Sequence, residues 1–239
     1  LHVKESFPDV YLVAHLADPS LGAGEELGES LARLRDIAAE VGAANADLVL
    51  ITGELTANET DEEYAAFLNA LEAFPMPTFV CPAPSAASAR YFGAPPFAFW
   101  YGEDAYLGFD GTVPPPAPPW EPAESLLYRL RRETKPARWA IGFANRYSQA
   151  FPMHGQISLF VDDPLDLLIT GPWNMELVDE EGEEMEPALP WGQTPVAITP
   201  PASEGAYRFL QVSSSEARPR APESVIDRDN NGAEEEDAP

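Results

Sequence analysis

The chain has 239 residues, 45% of them hydrophobic, enough for one large α/β domain or two small ones. It carries 40 Asp and Glu against 14 Lys and Arg, a formal net charge of −26, and that field repels nucleic acid, anionic membrane surfaces and phosphorylated ligands unless a bound cation inverts it locally. No stretch approaches the ~18 consecutive apolar residues of a membrane-spanning helix, and the single cysteine, Cys81, excludes an internal disulfide.

Residues 10–16 (VYLVAHL) read as a first buried strand, with His15 as a packed core histidine, followed by a loop through Asp18 and Ser20. Leu27, Leu31, Leu34, Ile37 and Val41 recur at steps of three and four, the pattern of an amphipathic helix ending near Gly42. The run Leu48-Val49-Leu50-Ile51 ends in Thr52-Gly53 and is followed by Glu54. An apolar run closed by Gly reads as a strand buried on both faces, and ligands gather at the carboxyl ends of such strands. Thr60-Asp61-Glu62-Glu63 is a capping box opening a second helix, and residues 76–81 read as a third strand holding Cys81 as a buried, inert thiol. This β-α-β-α-β order predicts a parallel sheet with crossover helices.

Phe97–Asp110 is aromatic, turns at Gly102-Glu103-Asp104, and reads as an antiparallel hairpin. Residues 112–122 are Pro-rich and read as an extended connector. A helix over 123–134, a strand over 138–144, a loop over 145–156, the apolar run Ile157–Phe160 and another buried strand over Leu165–Thr170 follow. Residues 176–186 are strongly acidic and read as a solvated loop. Thr194–Thr199 and Tyr207–Ser213 are expected to be antiparallel strands. From Glu216 onward the chain is acidic and Pro-rich, so residues 1–215 are taken as the domain and 216–239 as a disordered tail. Within that tail, Asp227, Asp229 and Asn231 match the first half of an EF-hand calcium loop, although Ala238 stands where the bidentate Glu belongs.

Taken together, "VYLVAHLADPSLG", "ADLVLITGELTANETDEEYAAFLNAL", "PTFVCPAPSA", "FWYGEDAYLGFDG", "ARWAIGFANR", "LDLLITGPWNME" and "TPVAITPPASEGAYRFLQV" resemble, in order and spacing, the blocks of the calcineurin-like metallophosphoesterases. The resemblance implies a four-layer α/β/β/α sandwich of two mixed sheets. It also implies a site that, in that family, holds two divalent metals through Asp, His and Asn side chains at strand ends.

The ligand positions depart from that pattern. Asp18 matches the first Asp, but Ser20 replaces the following His, and Glu54 stands for the bridging Asp, one methylene too long for the same bridge. The Gly-Asn-His-Asp motif is represented by Ala83-Pro84-Ser85-Ala86, the later His by Asn145, and the closing Gly-His-x-His by Gly171-Pro172-Trp173-Asn174. Neither His2, His15 nor His154 falls on a ligand position. The remaining oxygen donors suit Mg²⁺ or Ca²⁺ better than Zn²⁺.

These substitutions lead to the expectation of a catalytically inactive, metallophosphoesterase-like scaffold without a resident cofactor. It would bind protein partners in a larger assembly through loops 94–122 and 172–191, which carry Trp100, Trp120, Trp173 and Trp191. Two other expectations compete with it: a divergent single-metal phosphoesterase using Asp18 and Glu54, and a ligand-binding module whose emptied cleft is lined by Trp173 and Tyr147. A first residue other than Met and a Lys-poor surface lean towards an extracytoplasmic setting.

Overall fold

The structure, a computed structural model, describes residues 6–111, 123–147, 153–172 and 192–226. The elements run β1 (Tyr11–Ala17), α1 (Leu27–Ala43), β2 (Leu48–Gly53), α2 (Asp61–Leu71), β3 (Thr78–Pro82), α3 (Ala86–Phe92), β4 (Phe97–Tyr101) and β5 (Asp104–Gly111). They continue with α4 (Ala123–Glu133), β6 (Ala140–Tyr147), α5 (Met153–Ile157), β7 (Leu167–Thr170), β8 (Val196–Ile198), β9 (Ala206–Val212) and β10 (Ala217–Ser224).

Two five-stranded mixed sheets form, ordered β10-β9-β1-β2-β3 and β4-β5-β6-β7-β8. Side chains of a strand alternate between faces, so each strand feeds two cores. Val49 and Ile51 of β2 face α1 and α2, where they join Leu34, Ile37, Val41 and Phe67. Leu48 and Leu50 face the other sheet and meet Tyr106, Ile141, Phe143 and Ile169. On the far side of the second sheet, Leu107, Phe109 and Leu168 pack with Leu127, Leu159 and Phe160. Three cores separated by two sheets make the four-layer α/β/β/α sandwich expected from the sequence.

Polar links also tie the two sheets together. His15, fully buried in β1, bonds Thr52 at 2.9 Å through Nε2 and Thr199 at 2.7 Å through Nδ1, so one imidazole joins the ends of β2 and β8. Asp104, also fully buried, takes a bidentate Arg138 at 2.9 and 2.7 Å and the Tyr11 hydroxyl at 2.8 Å. The Phe79 and Phe99 rings stack at 3.6 Å where the edge strands β3 and β4 face each other.

Four sequence expectations are corrected. Strand β8 pairs parallel to β7, not antiparallel, because residues 171–195 are long enough to cross over instead of closing a hairpin. Residues 217–224 are not a free tail: Ser213 N–H donates to Glu216 O at 2.8 Å, and β10 returns antiparallel along β9, so a domain boundary at 215 would cut a hairpin. The polar composition that suggested disorder belongs to an exposed edge strand, whose prolines, Pro219 and Pro222, flank a register shift. The loop expected over 145–156 ends in helix α5, Met153–Ile157, and a π-helical turn over Ser158–Asp162 buries Leu159 and Phe160. Finally, β6 runs on to Tyr147, so Asn145 lies in a strand and not in a loop.

Candidate functional site

The carboxyl ends of β1, β2 and β6 converge on Asp18. The residue is held in the left-handed backbone region (φ 43°), with its N–H donating to Thr52 O at 2.9 Å. This turns the carboxylate towards β2, where Oδ1 accepts the Glu54 N–H at 2.8 Å. Gly53 (φ 96°) has no room for a side chain: a Cβ there would overlap the Asp18 carboxylate and stand 2.9 Å from Asn145 Oδ1. Gly171 closes the other side, its N–H donating to Asn145 O at 2.8 Å, and a Cβ there would stand 3.1 Å from Asp18 Oδ2. Burial pushes the Asp18 carboxyl up to about 6, against the Glu54 N–H and the Arg146 charge, which both lower it.

Asn145 is 3% exposed, and its Oδ1 is buried without a hydrogen-bond partner. Ser20, also left-handed (φ 42°), faces backbone: its N–H and hydroxyl both donate to Glu54 O, at 2.8 and 3.3 Å. Glu54 points outward and pairs with Arg146 at 3.2 Å. Ser85 is the N-cap of α3, accepting from Ser88 N–H at 2.9 Å while its own N–H donates to Ser88 Oγ at 3.1 Å. That Ser-x-x-Ser cap and the short helix behind it lie in a stretch, between the third strand and Phe97, for which the sequence predicts no element. Pro84 and Pro172 contribute no ligating side-chain atom.

A cleft of about 390 Å³ opens beside these residues, lined by residues 53–59, Tyr64, residues 82–85 and Ser88. The side chains of Glu54 and Glu59 are its charged groups. Tyr147 does not line it: Tyr147 is buried, bonded to Gln156, and set edge-on to Phe160 at 5.6 Å. Trp100, on the edge strand β4, is 46% exposed. Trp120, Trp173, Asn174, Trp191, Asp227, Asp229 and Asn231 lie outside the described residues, as does the side chain of His154.

Among the described residues, the side chains at these positions are engaged in ways that do not fit a dinuclear metal centre. One Asp18 oxygen is taken by the Glu54 N–H, the Ser20 hydroxyl by a carbonyl, and the Ser85 hydroxyl by the α3 cap. Glu54 already has a cation, the Arg146 guanidinium. Among the described residues no three His, Cys, Asp or Glu side chains gather as a metal-binding group. Arg146 was passed over in the sequence, where its only signal is a basic residue directly after the Asn145 position. Thr56, Tyr64 and Glu59 carried none, because only the folded loops bring them to one cleft.

No protein-family model matches the chain, and no curated protein sequence does. Solved structures do. The fold is similar to that of a purple acid phosphatase from yellow lupin (Lupinus luteus) seeds, with a TM-score of 0.56 at 10% identity, covering 89% of this chain and 53% of that one. It is similar also to a dimetal phosphatase from Danio rerio, with a TM-score of 0.57 at 9% identity, covering 86% of this chain and 94% of that one. The chain thus spans about half the length of the plant enzyme. At these identities the likeness is one of fold: two mixed sheets between helices, in the metallophosphoesterase arrangement.

Proposed function

We propose that this is a catalytically inactive protein on the metallophosphoesterase fold, acting as a structural or protein-interaction subunit of a larger assembly and holding no resident cofactor. One observation carries the reading: Arg146 places a guanidinium 3.2 Å from Glu54, the residue at the bridging-ligand position. A fixed cation of the chain itself stands where a catalytic metal needs a free carboxylate. The replacements at Ser20, Pro84, Ser85 and Pro172 support the same reading, since each removes an imidazole or amide donor. On the interaction side, the support is Trp100, exposed on β4, which ends the second sheet among the described residues.

The competing reading is a phosphoric ester hydrolase with one metal at Asp18 and Glu54. Metal content of the purified chain after incubation with Mn²⁺, Mg²⁺ or Ca²⁺, measured beside turnover of a chromogenic phosphodiester, separates the two. The scaffold reading expects neither bound metal nor turnover. Turnover abolished by Glu54→Ala or Asp18→Ala would establish the hydrolase instead.

A further inference from the structure

We propose that β10 is a detachable cover strand: it opens as a unit while the sandwich stays folded, and the β9 edge beneath it takes up an extended segment of a protein partner. The two strands of this hairpin are built differently. None of the eight residues of β10 is buried, whereas β9 buries five of its seven. β9 also keeps its place without β10. It pairs antiparallel with β1 from Tyr11↔Val212 to His15↔Arg208, and its side chains enter two cores, Tyr207 and Phe209 on the helix side, Leu210 and Val212 between the sheets. To those cores the returning chain adds only the partly buried Ala217 and, just past the strand, Val225.

The ladder between the two strands is interrupted. Pro219 and Pro222 have no N–H to donate. Between them the register slips: Pro219 stands opposite Leu210 and Pro222 opposite Arg208, three steps against two, so Arg220 and Ala221 share one β9 residue. Side-chain bonds hold the middle from the solvent side, the Arg208 guanidinium on Arg220 O and Arg220 Nη2 on Gln211 Oε1 at 2.9 Å. The Tyr207 hydroxyl adds a bond to Glu223 at 3.2 Å. A strand without a buried residue, on a broken ladder, belongs to the low end of local opening free energies.

What β10 covers has the opposite character. β9 contains neither proline nor carboxylate, and an uncovered strand of that kind is a template for pairing with another chain. The residues that keep an edge from pairing, Pro219, Pro222, Arg218 and Arg220, all lie on β10, which ends its sheet among the described residues. The register defines the occupant. Ala217 and Pro219 stand opposite Val212 and Leu210, two compact side chains beside the core between the sheets. An extended segment with Val or Ile at those two positions and no proline completes the ladder and fills that edge better. The net charge of −26 disfavours an acidic segment. The proposal goes beyond the scaffold reading and does not depend on it, since nothing at Asp18 or Glu54 enters it.

Amide hydrogen exchange of the full chain, read residue by residue, tests the opening. The β10 amides and every second amide of β9 are expected to exchange about a hundredfold faster than those of β1 and β2, through one shared opening. The β9 amides that donate to β1 are expected to stay protected. Equal protection of β10 and β1 would overturn the detachable strand. Docking is tested with a labelled peptide of residues 215–225 carrying Pro219→Val and Pro222→Val, its binding to the full chain followed by fluorescence anisotropy at near-physiological salt. Saturable binding is expected, at a rate that levels off at the opening rate as peptide is raised. The peptide that keeps both prolines is expected to bind about tenfold more weakly. Non-saturating binding, or equal binding of the two peptides, would overturn β9 as the docking edge.

Discussion

The Arg146 guanidinium joins Glu54 at 3.2 Å, a contact between the end of β6 in one sheet and the end of β2 in the other. Both side chains reach solvent, 30% and 57% exposed, so the pair contributes little stability of its own, ~0–1 kcal/mol. Its weight is electrostatic, because the same cation lowers the Asp18 carboxyl. Arg146→Gln is therefore expected to move the melting temperature by no more than about 4 °C in buffer. It is also expected to confer a rise in melting temperature on adding Mg²⁺ or Ca²⁺ that the wild-type chain lacks. An equal rise in both proteins would show that Arg146 does not occupy the cation's place.

Asp104 accepts three charge-assisted or hydroxyl bonds while fully buried. Asp104→Ala leaves Arg138 and the Tyr11 hydroxyl without their acceptor between two sheets. Breaking a buried pair from one side typically costs ~3–5 kcal/mol, and the 20% exposure of Arg138 brings the expected loss towards the lower end. Urea denaturation at neutral pH measures it, and a loss under about 1 kcal/mol would mean that water replaces the carboxylate.

Acid acts on two groups with opposite sign. Burial lowers His15 from 6.5 to about 3, with the Arg208 charge adding to it. The unfolded chain thus takes up that proton first, and stability falls as pH drops from about 6.5 towards 3. Asp18 is raised by burial from 3.8 to about 6, so the folded chain binds its proton first. Its stabilisation is full below about pH 4 and is lost as pH rises through 6. Between these values the two effects offset one another. Asp18→Asn keeps an acceptor for the Glu54 N–H and removes the titration. The variant is expected to gain on the wild type by on the order of 1–2 kcal/mol at pH 7, with the difference shrinking towards pH 4. Denaturation curves at a series of pH values check it; a difference constant with pH would place the Asp18 carboxyl in the ordinary range.

Glu59 carries a left-handed backbone (φ 54°), a conformation that suits Gly and strains a residue with Cβ. Glu59→Gly is expected to be neutral to stabilising, by up to about 1 kcal/mol, while removing a cleft carboxylate. Gly53→Ala is the opposite case: at φ 96° its methyl group would enter the space of the Asp18 carboxylate. A loss above ~2 kcal/mol is expected there, together with displacement of Asp18, visible in its side-chain carboxyl resonance.

How much of this was legible in the chain follows from the range of each interaction. The alternation of buried faces in β1 and β2, the capping box at Thr60–Glu63, the hairpin over Phe97–Asp110 and the buried His15 and Cys81 are set by residues close in sequence. The periodicity of side chains therefore determined them, and with them the order of the layers. That Ser20, Pro84, Ser85 and Pro172 bring neither an imidazole nor a side-chain amide is a matter of residue type, also readable without coordinates. Only the tertiary structure decided that β8 runs parallel to β7 and that the polar stretch after Glu216 becomes the edge strand β10. Those outcomes depend on which strand waits beside each segment, not on the segment itself. The same holds at the site. Glu54 and Arg146 are 92 positions apart, and the cleft brings Thr56 and Glu59 to Ser85 across two loops. A chain's composition records which groups it owns; which of them are already spent on one another is decided when the sheets pack, because burial leaves each donor and acceptor a single set of neighbours.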